Sequence, residues 1–160
     1  MLTLKLSFTV FLDVNLRKPW WDAKQVKALV RAATWLKLND SELDTLFPGR
    51  EKMAARCRDL LHRFDLDAVF ITLGAKGAVA LKRDNVFVSA RPQEKISIID
   101  TVGAGDAFSA VLLLGLVKGW PLDTAMQRAQ DFASAVVGLR GAVSREKEFY
   151  QTFKENWDLA

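Results

Sequence analysis

The sequence predicts an α/β protein, with a mostly parallel sheet flanked by helices on both faces and one β-hairpin. Three observations lead there. Short apolar, β-branched runs alternate with segments whose apolar residues recur at helical spacing. Asn15, Asn39, Thr72 and Asp100 fall at or just after the carboxyl end of a predicted strand, the edge where open α/β sheets take their ligands. A glycine loop, Asp100-Thr101-Val102-Gly103-Ala104-Gly105-Asp106, joins an apolar run to a long apolar helical segment.

The elements follow in order. Phe8 to Val14 is apolar enough for a buried strand. Pro19 breaks the chain, and Asp22 caps a predicted helix whose inward face is Val26, Leu29, Val30 and Ala33. Trp35 to Leu38 reads as a strand, and Asn39-Asp40-Ser41-Glu42 opens a brief helix that ends before Pro48-Gly49. Met53, Cys57, Leu60, Leu61 and Phe64 share one helix face. Ala68 to Leu73 is a predicted strand, turned by Gly74-Ala75-Lys76-Gly77 into Ala78 to Lys82, and Asp84-Asn85 turns again into Val86-Phe87-Val88. Ile96 to Ile99 is expected as a strand entering the glycine loop. Helices are then expected over 104–118, stopped by Gly119 with Pro121 beyond, on to about Val137, and from Glu146 onward, with a turn at Gly138 to Gly141.

Composition narrows the functional classes. The 160 residues are sized for one domain, read here as 1–160, and half are hydrophobic while 26% are charged. The net charge of +4 is scattered in pairs such as Arg17-Lys18 and Lys82-Arg83, which argues against nucleic-acid binding. Cys57 is the only cysteine, so an intrachain disulfide is excluded and a reducing, cytoplasmic compartment is favoured. The interrupted apolar start Met1 to Leu6 argues against an export signal, and the longest apolar run, Ala107 to Val117, is too short to span a bilayer and is expected to be a buried helix.

The glycine loop carries the chemistry. A strand–loop–helix junction leaves backbone N–H groups at the helix start where an anion can sit. A carboxylate closing the loop, Asp106, supplies a proton acceptor beside that anion. Phosphoryl transfer to a hydroxyl needs this pairing. No Gly-Lys-Ser/Thr follows the glycines, so the loop is not a P-loop, and the dinucleotide Gly-x-Gly-x-x-Gly pattern is absent. The bland alternative is an ordinary glycine turn in which Asp106 merely favours the helix dipole.

Asp100 to Asp106, with Ala107-Phe108 after it, resembles the second signature of the ribokinase-like (PfkB) carbohydrate kinases. The resemblance implies an ATP-dependent kinase in which Gly103, Ala104 and Gly105 form the anion hole and Asp106 deprotonates a sugar hydroxyl. Val102 stands where the family usually has a second threonine. Asn39-Asp40-Ser41-Glu42 is similar to the family's Asn-x-x-Glu motif, linked to Mg²⁺ and phosphate, although the same spacing is a capping box. Asp100 is a further candidate to hold a cation, and a monovalent ion such as K⁺ is also implied. Thr72-Leu73-Gly74-Ala75-Lys76-Gly77 resembles the segment contacting nucleotide phosphates, which implicates Thr72, Gly74 and Gly77 beside Thr101. Gln130 occupies the place where relatives often carry an asparagine near the adenine, and Gly141-Ala142 resembles the family's late Gly-Ala turn beside it. Asp13-Val14-Asn15-Leu16-Arg17 looks like a fructokinase-type or ketodeoxygluconate kinase-type stretch, with Asn15 and Arg17 facing substrate.

The resemblance extends over nearly the whole chain but only the carboxyl-terminal portion of the family. The expectation is a truncated, ribokinase-like fold without the amino-terminal sugar-binding part and lid. An exposed sheet edge and apolar surface would then lower stability or drive homo-oligomerisation. A non-catalytic nucleotide-binding or subunit-interaction module is the alternative function. Small-molecule partners, ATP and a sugar or sugar acid, are expected rather than a membrane.

Overall fold

The computed structural model describes residues 9–17, 19–93 and 97–159. Met1 to Leu6, and Phe8 and Ile96 at the starts of two expected strands, lie outside them. The chain divides into two compact units, Met1–Gly74 with Ala78–Val88 and Ala75–Gly77 with Ser89–Ala160.

The first unit holds most of a five-stranded sheet in the order β1-β2-β3-β4-β5. β1 (Phe11–Asp13), β2 (Trp35–Asn39) and β3 (Ala68–Thr72) run parallel, and β4 (Ala78–Lys82) pairs antiparallel with β3. β5 (Phe87–Ala90) follows the tight turn at Asp84-Asn85, where Asn85 takes a left-handed φ of 65° and Lys82 N donates to Val86 O at 3.0 Å. The expected hairpin forms, because asparagine tolerates positive φ.

Strand alternation sorts the side chains of this unit. Leu36, Leu38, Val69, Ile71, Val79 and Leu81 point to one sheet face and are buried against α1 (Ala23–Ala32), α2 (Asp40–Leu46) and α3 (Met53–Phe64). Their partners are Val26 and Val30, Leu43 and Leu46, and Cys57, Leu60, Leu61 and Phe64. Leu29 is the exception to the expected inward face: it is 57% exposed, while Val26 and Val30 one turn apart define the buried stripe. Asp22 caps α1 as expected, its Oδ1 accepting from Lys24 N and Gln25 N at 2.9 Å. Burial pushes the Cys57 thiol up to about 11, so it stays protonated and serves as core rather than nucleophile. The opposite sheet face carries Asp13, Lys37 and Phe70 in register, with Lys37 Nζ 2.8 Å from the Asp13 carboxylate.

In the second unit, α4 (Ala104–Lys118) and α5 (Leu122–Val137) pack through Phe108, Val111 and Leu112 on one side and Ala125, Met126, Ala129 and Ala133 on the other, all buried. Gly115 makes the approach possible, since a Cβ there would lie 2.8 Å from that of Ala125 and 2.6 Å from the Trp120 ring. Gly119, in the left-handed region, ends α4 at the expected residue. Val117 is 83% exposed, so the apolar run is not buried to its end. α6 (Lys147–Asn156) joins α5 through an aromatic cluster: Phe132 meets Phe153 edge-on at 5.0 Å, and the Arg128 guanidinium lies 4.1 Å from the Trp120 ring centre.

One expected strand does not form among the described residues. Ser97 to Ile99 has no strand partner, and Ile98 and Ile99 are mostly exposed. The N–H groups of Ile99 and Asp100 both donate to Val137 O, at 3.0 and 3.2 Å. Two successive amides aimed at one carbonyl cannot alternate across a β ladder. Asp100 therefore follows an irregular segment tied to the end of α5, not a strand end.

Candidate active site

In the first unit, the carboxyl ends of the parallel strands gather Asn15, Asn39, Glu42 and Thr72. Asn39 ends β2 beside Thr72, the last residue of β3. Asn15 lies two residues beyond β1 with a φ of 44°, and Arg17 beside it is exposed. Glu42 holds this edge together. Its Oε2 accepts from Asn39 N at 2.8 Å while Asn39 Oδ1 accepts from Glu42 N at 2.8 Å, a complete capping box. Its Oε1 accepts from Leu16 N at 2.8 Å, a bond that the sequence spacing gives no hint of. The buried carboxylate thus fixes the loop bearing Asn15 and Arg17 to the start of α2.

A Glu42→Gln variant would present an NH₂ group to one of those two amides and leave a buried donor unpaired. The expected cost is about 1–3 kcal/mol of unfolding free energy, measured by urea denaturation. An unchanged stability would show that the two bonds are not formed in solution.

In the second unit, the glycine loop opens α4. Gly103 is the N-cap residue with φ 82° and ψ −9°, a conformation that only glycine adopts cheaply. A Cβ at Gly103 would meet Ala142 Cβ at 2.5 Å. Asp100 clamps the loop from both sides: Oδ1 accepts from Val102 N at 3.0 Å, and Oδ2 accepts from Gly141 N at 3.1 Å. Ala104 N makes a long bond, 3.4 Å, to the carbonyl of exposed Thr101. Among the described residues, the amides of Gly103, Gly105 and Asp106 make no hydrogen bond. Asp106 stands at the third position of α4 with its side chain exposed. Free amides on a helix start, next to an outward carboxylate, form an arrangement that can take an anion and a proton together.

Other predicted positions have settled structural surroundings. Gly77 has a φ of 98°, and a Cβ there would collide with Ala90 O, so close backbone packing requires glycine. Gly74, with φ 56°, faces open space. Gln130 is buried, and its amide donates to Ser134 Oγ at 3.0 Å. Among the described residues, no group of three His, Cys, Asp or Glu side chains could hold a metal ion. A cavity of about 480 Å³ in the first unit is lined by Trp35, Asp67, Lys82, Arg83 and Asp84. It lies at the amino end of β2, away from Asn39, and its basic groups are already paired, Lys82 with Asp84 and Arg83 with Asp65 and Asp67.

Fold and loop together define an α/β protein with a glycine junction at a helix start, and comparison with known proteins gives the class a name. The chain belongs to the pfkB family of carbohydrate kinases, whose model matches residues 5–148. Aminoimidazole riboside kinase of Salmonella typhimurium is 31% identical over 147 residues, covering 84% of this chain and 44% of that enzyme. The crystal structure of 2-dehydro-3-deoxygluconokinase from Thermotoga maritima superposes with a TM-score of 0.75 at 17% identity, over 92% of this chain and 50% of that one. Fructokinase from Vibrio cholerae O395, in a form with fructose, ADP and calcium bound, gives 0.73 at 25% identity, over 89% of this chain and 50% of that one. The chain spans less than half the length of the curated relatives it matches. No described helix is long and apolar enough to cross a membrane.

Proposed function

We propose that this chain carries the nucleotide-binding and phosphoryl-transfer part of an ATP-dependent carbohydrate kinase. The observation that supports the reading best is the start of α4, where the amides of Gly103 and Gly105, without a hydrogen bond among the described residues, adjoin the exposed Asp106. The amides would stabilise the charge on the migrating phosphoryl group, and Asp106 would take the proton from the attacking hydroxyl. Thr72, Gly74, Gly77 and Thr101 are assigned to the nucleotide phosphates, and Gln130 and Gly141 to the nucleoside side. Asn15 and Arg17 are assigned to the acceptor, for which a fructose-like or ketodeoxygluconate-like molecule is preferred.

Mg²⁺, when bound with the nucleotide, would neutralise phosphate charge. Within each unit the candidate donors, Glu42 with Asn39 in the first and Asp100 in the second, would suit a lightly held ion rather than a protein cage, because magnesium keeps water and phosphate oxygens around one or two carboxylates. Asp100 and Glu42 each spend both oxygens on backbone amides, yet each oxygen has a second lone pair to offer, and Asn39 adjoins Glu42. K⁺ near Asp100, a cytoplasmic location and self-association through exposed Val10, Ile98 and Ile99 belong to the same proposal.

The test is transfer of phosphate from MgATP to fructose and to 2-keto-3-deoxygluconate by this chain, followed as ADP release, together with calorimetric binding of MgADP. Acceptor-dependent release is the expected result. Because the chain spans less than half of its curated relatives, a nucleotide-binding module is the second reading. MgADP binding with no transfer to either acceptor would favour it, and absence of binding would overturn both.

A further inference from the structure

The glycine loop does not hold its shape alone. Gly103 rests against Ala142, and Asp100 Oδ2 accepts from Gly141 N at 3.1 Å, so the turn after α5 is the floor and one wall of the loop. That turn has no regular secondary structure of its own, and Gly141 sits at a φ of 86°. What fixes it comes from α6. Ser144 N donates to the hydroxyl of Tyr150 at 3.1 Å, and the same hydroxyl donates to Ser144 O at 3.1 Å. One side chain thus satisfies both backbone groups of one residue, three positions from Gly141. Tyr150 is itself located by ring contacts with Phe132 of α5 at 6.3 Å and with Phe149 at 5.1 Å.

We propose that Tyr150 is a positioning residue for the glycine loop: its hydroxyl pins Ser144, the pinned turn presents Gly141 N and Ala142, and these set Asp100 and Gly103. The aromatic cluster gives the hydroxyl a fixed base on α5, so the loop inherits the rigidity of two packed helices. A backbone turn with few partners of its own opens locally at small cost, and removing two of its bonds raises the population of that open state. The inference rests on the proposed nucleotide reading only where it reaches ligand binding.

Tyr150→Phe deletes the hydroxyl and keeps the ring, so the aromatic cluster and the fold survive. Amide hydrogen exchange of the full chain should show Gly141 and Val102, the two amides held by Asp100, exchanging roughly tenfold faster, the loss expected when about one hydrogen bond's net free energy is removed. MgADP affinity, read by calorimetry, should fall several-fold while the melting temperature stays close to wild type. Ser144→Ala, which removes only the bond from Glu146 N to Ser144 Oγ, should change neither. A merely structural tyrosine would lower the melting temperature and speed exchange throughout α5 and α6 together. Unchanged exchange at Gly141 overturns the coupling whatever the nucleotide does. Faster exchange with unchanged MgADP affinity overturns the positioning role. If the wild-type chain binds no MgADP, the nucleotide reading fails, and the exchange measurement still decides whether Tyr150 holds the loop.

Discussion

Asp106→Asn should lower acceptor-dependent ADP release by about 10²- to 10⁴-fold, the range that a positioned general base contributes, while leaving MgADP affinity unchanged. Asparagine keeps the size of the side chain and its place at the third residue of α4. It loses the negative charge and with it the ability to take a proton. Among the described residues Asp106 makes no hydrogen bond or ion pair that a substitution would break, so stability should also be preserved. A fall in turnover without a fall in binding is the signature of an interaction made in the transition state alone. Undiminished turnover would remove Asp106 from the proposed mechanism, and lost MgADP binding would give it a role in nucleotide contact instead.

The second large effect is expected at Gly103. A Gly103→Ala variant adds a Cβ where φ is 82° and where Ala142 Cβ and Cα stand 2.5 and 2.7 Å away. The left-handed conformation costs a non-glycine residue about 1–2 kcal/mol. Crowding against a backbone that cannot swing aside adds about 1–3 kcal/mol. Urea denaturation should show the sum, unless the loop escapes by moving, in which case MgADP binding should weaken. Pairing it with Ala142→Gly removes the Cβ contact and leaves the torsional cost and the backbone contact with the Cα of residue 142, so the stability regained measures the side-chain part of the crowding. Full stability of Gly103→Ala with wild-type MgADP affinity would mean that the loop does not take this conformation.

Much of the architecture was legible from local signals. Asp22 and Asn39 were recognisable as helix caps because a side-chain oxygen two or three residues before an amide satisfies it wherever the helix lies. Gly119 stopped α4 at the expected residue because a left-handed terminus is a single-residue property. The alternation Leu36, Leu38 and Val69, Ile71 reported a sheet with one face on a helical core. The glycine loop and its acid were visible as a motif because anion-binding amides need glycine close by in sequence.

Three departures from the expected pattern share one cause. Leu29, Val117 and the Ile98-Ile99 pair are apolar, and apolar runs suggest burial. Which of them is covered depends on the neighbours an element meets, and that is not encoded at the residue itself. Ile98 and Ile99 read as strand because they are β-branched, yet the amides of Ile99 and Asp100 are captured by Val137 O nearly forty positions away.

The residues themselves settled the helices, their caps and the glycine turn as a motif, since each of these depends on contacts no more than a few positions apart. The meeting of Glu42 with Leu16, Asp100 with Gly141, Gly103 with Ala142 and Tyr150 with Ser144 was decided only by the folded chain. Three of those contacts are buttresses across separate segments of chain, and even the Tyr150 clip bridges a turn to a helix. A hydrogen-bonding side chain carries no mark of which distant amide will reach it, because that choice is made by packing after the elements have formed.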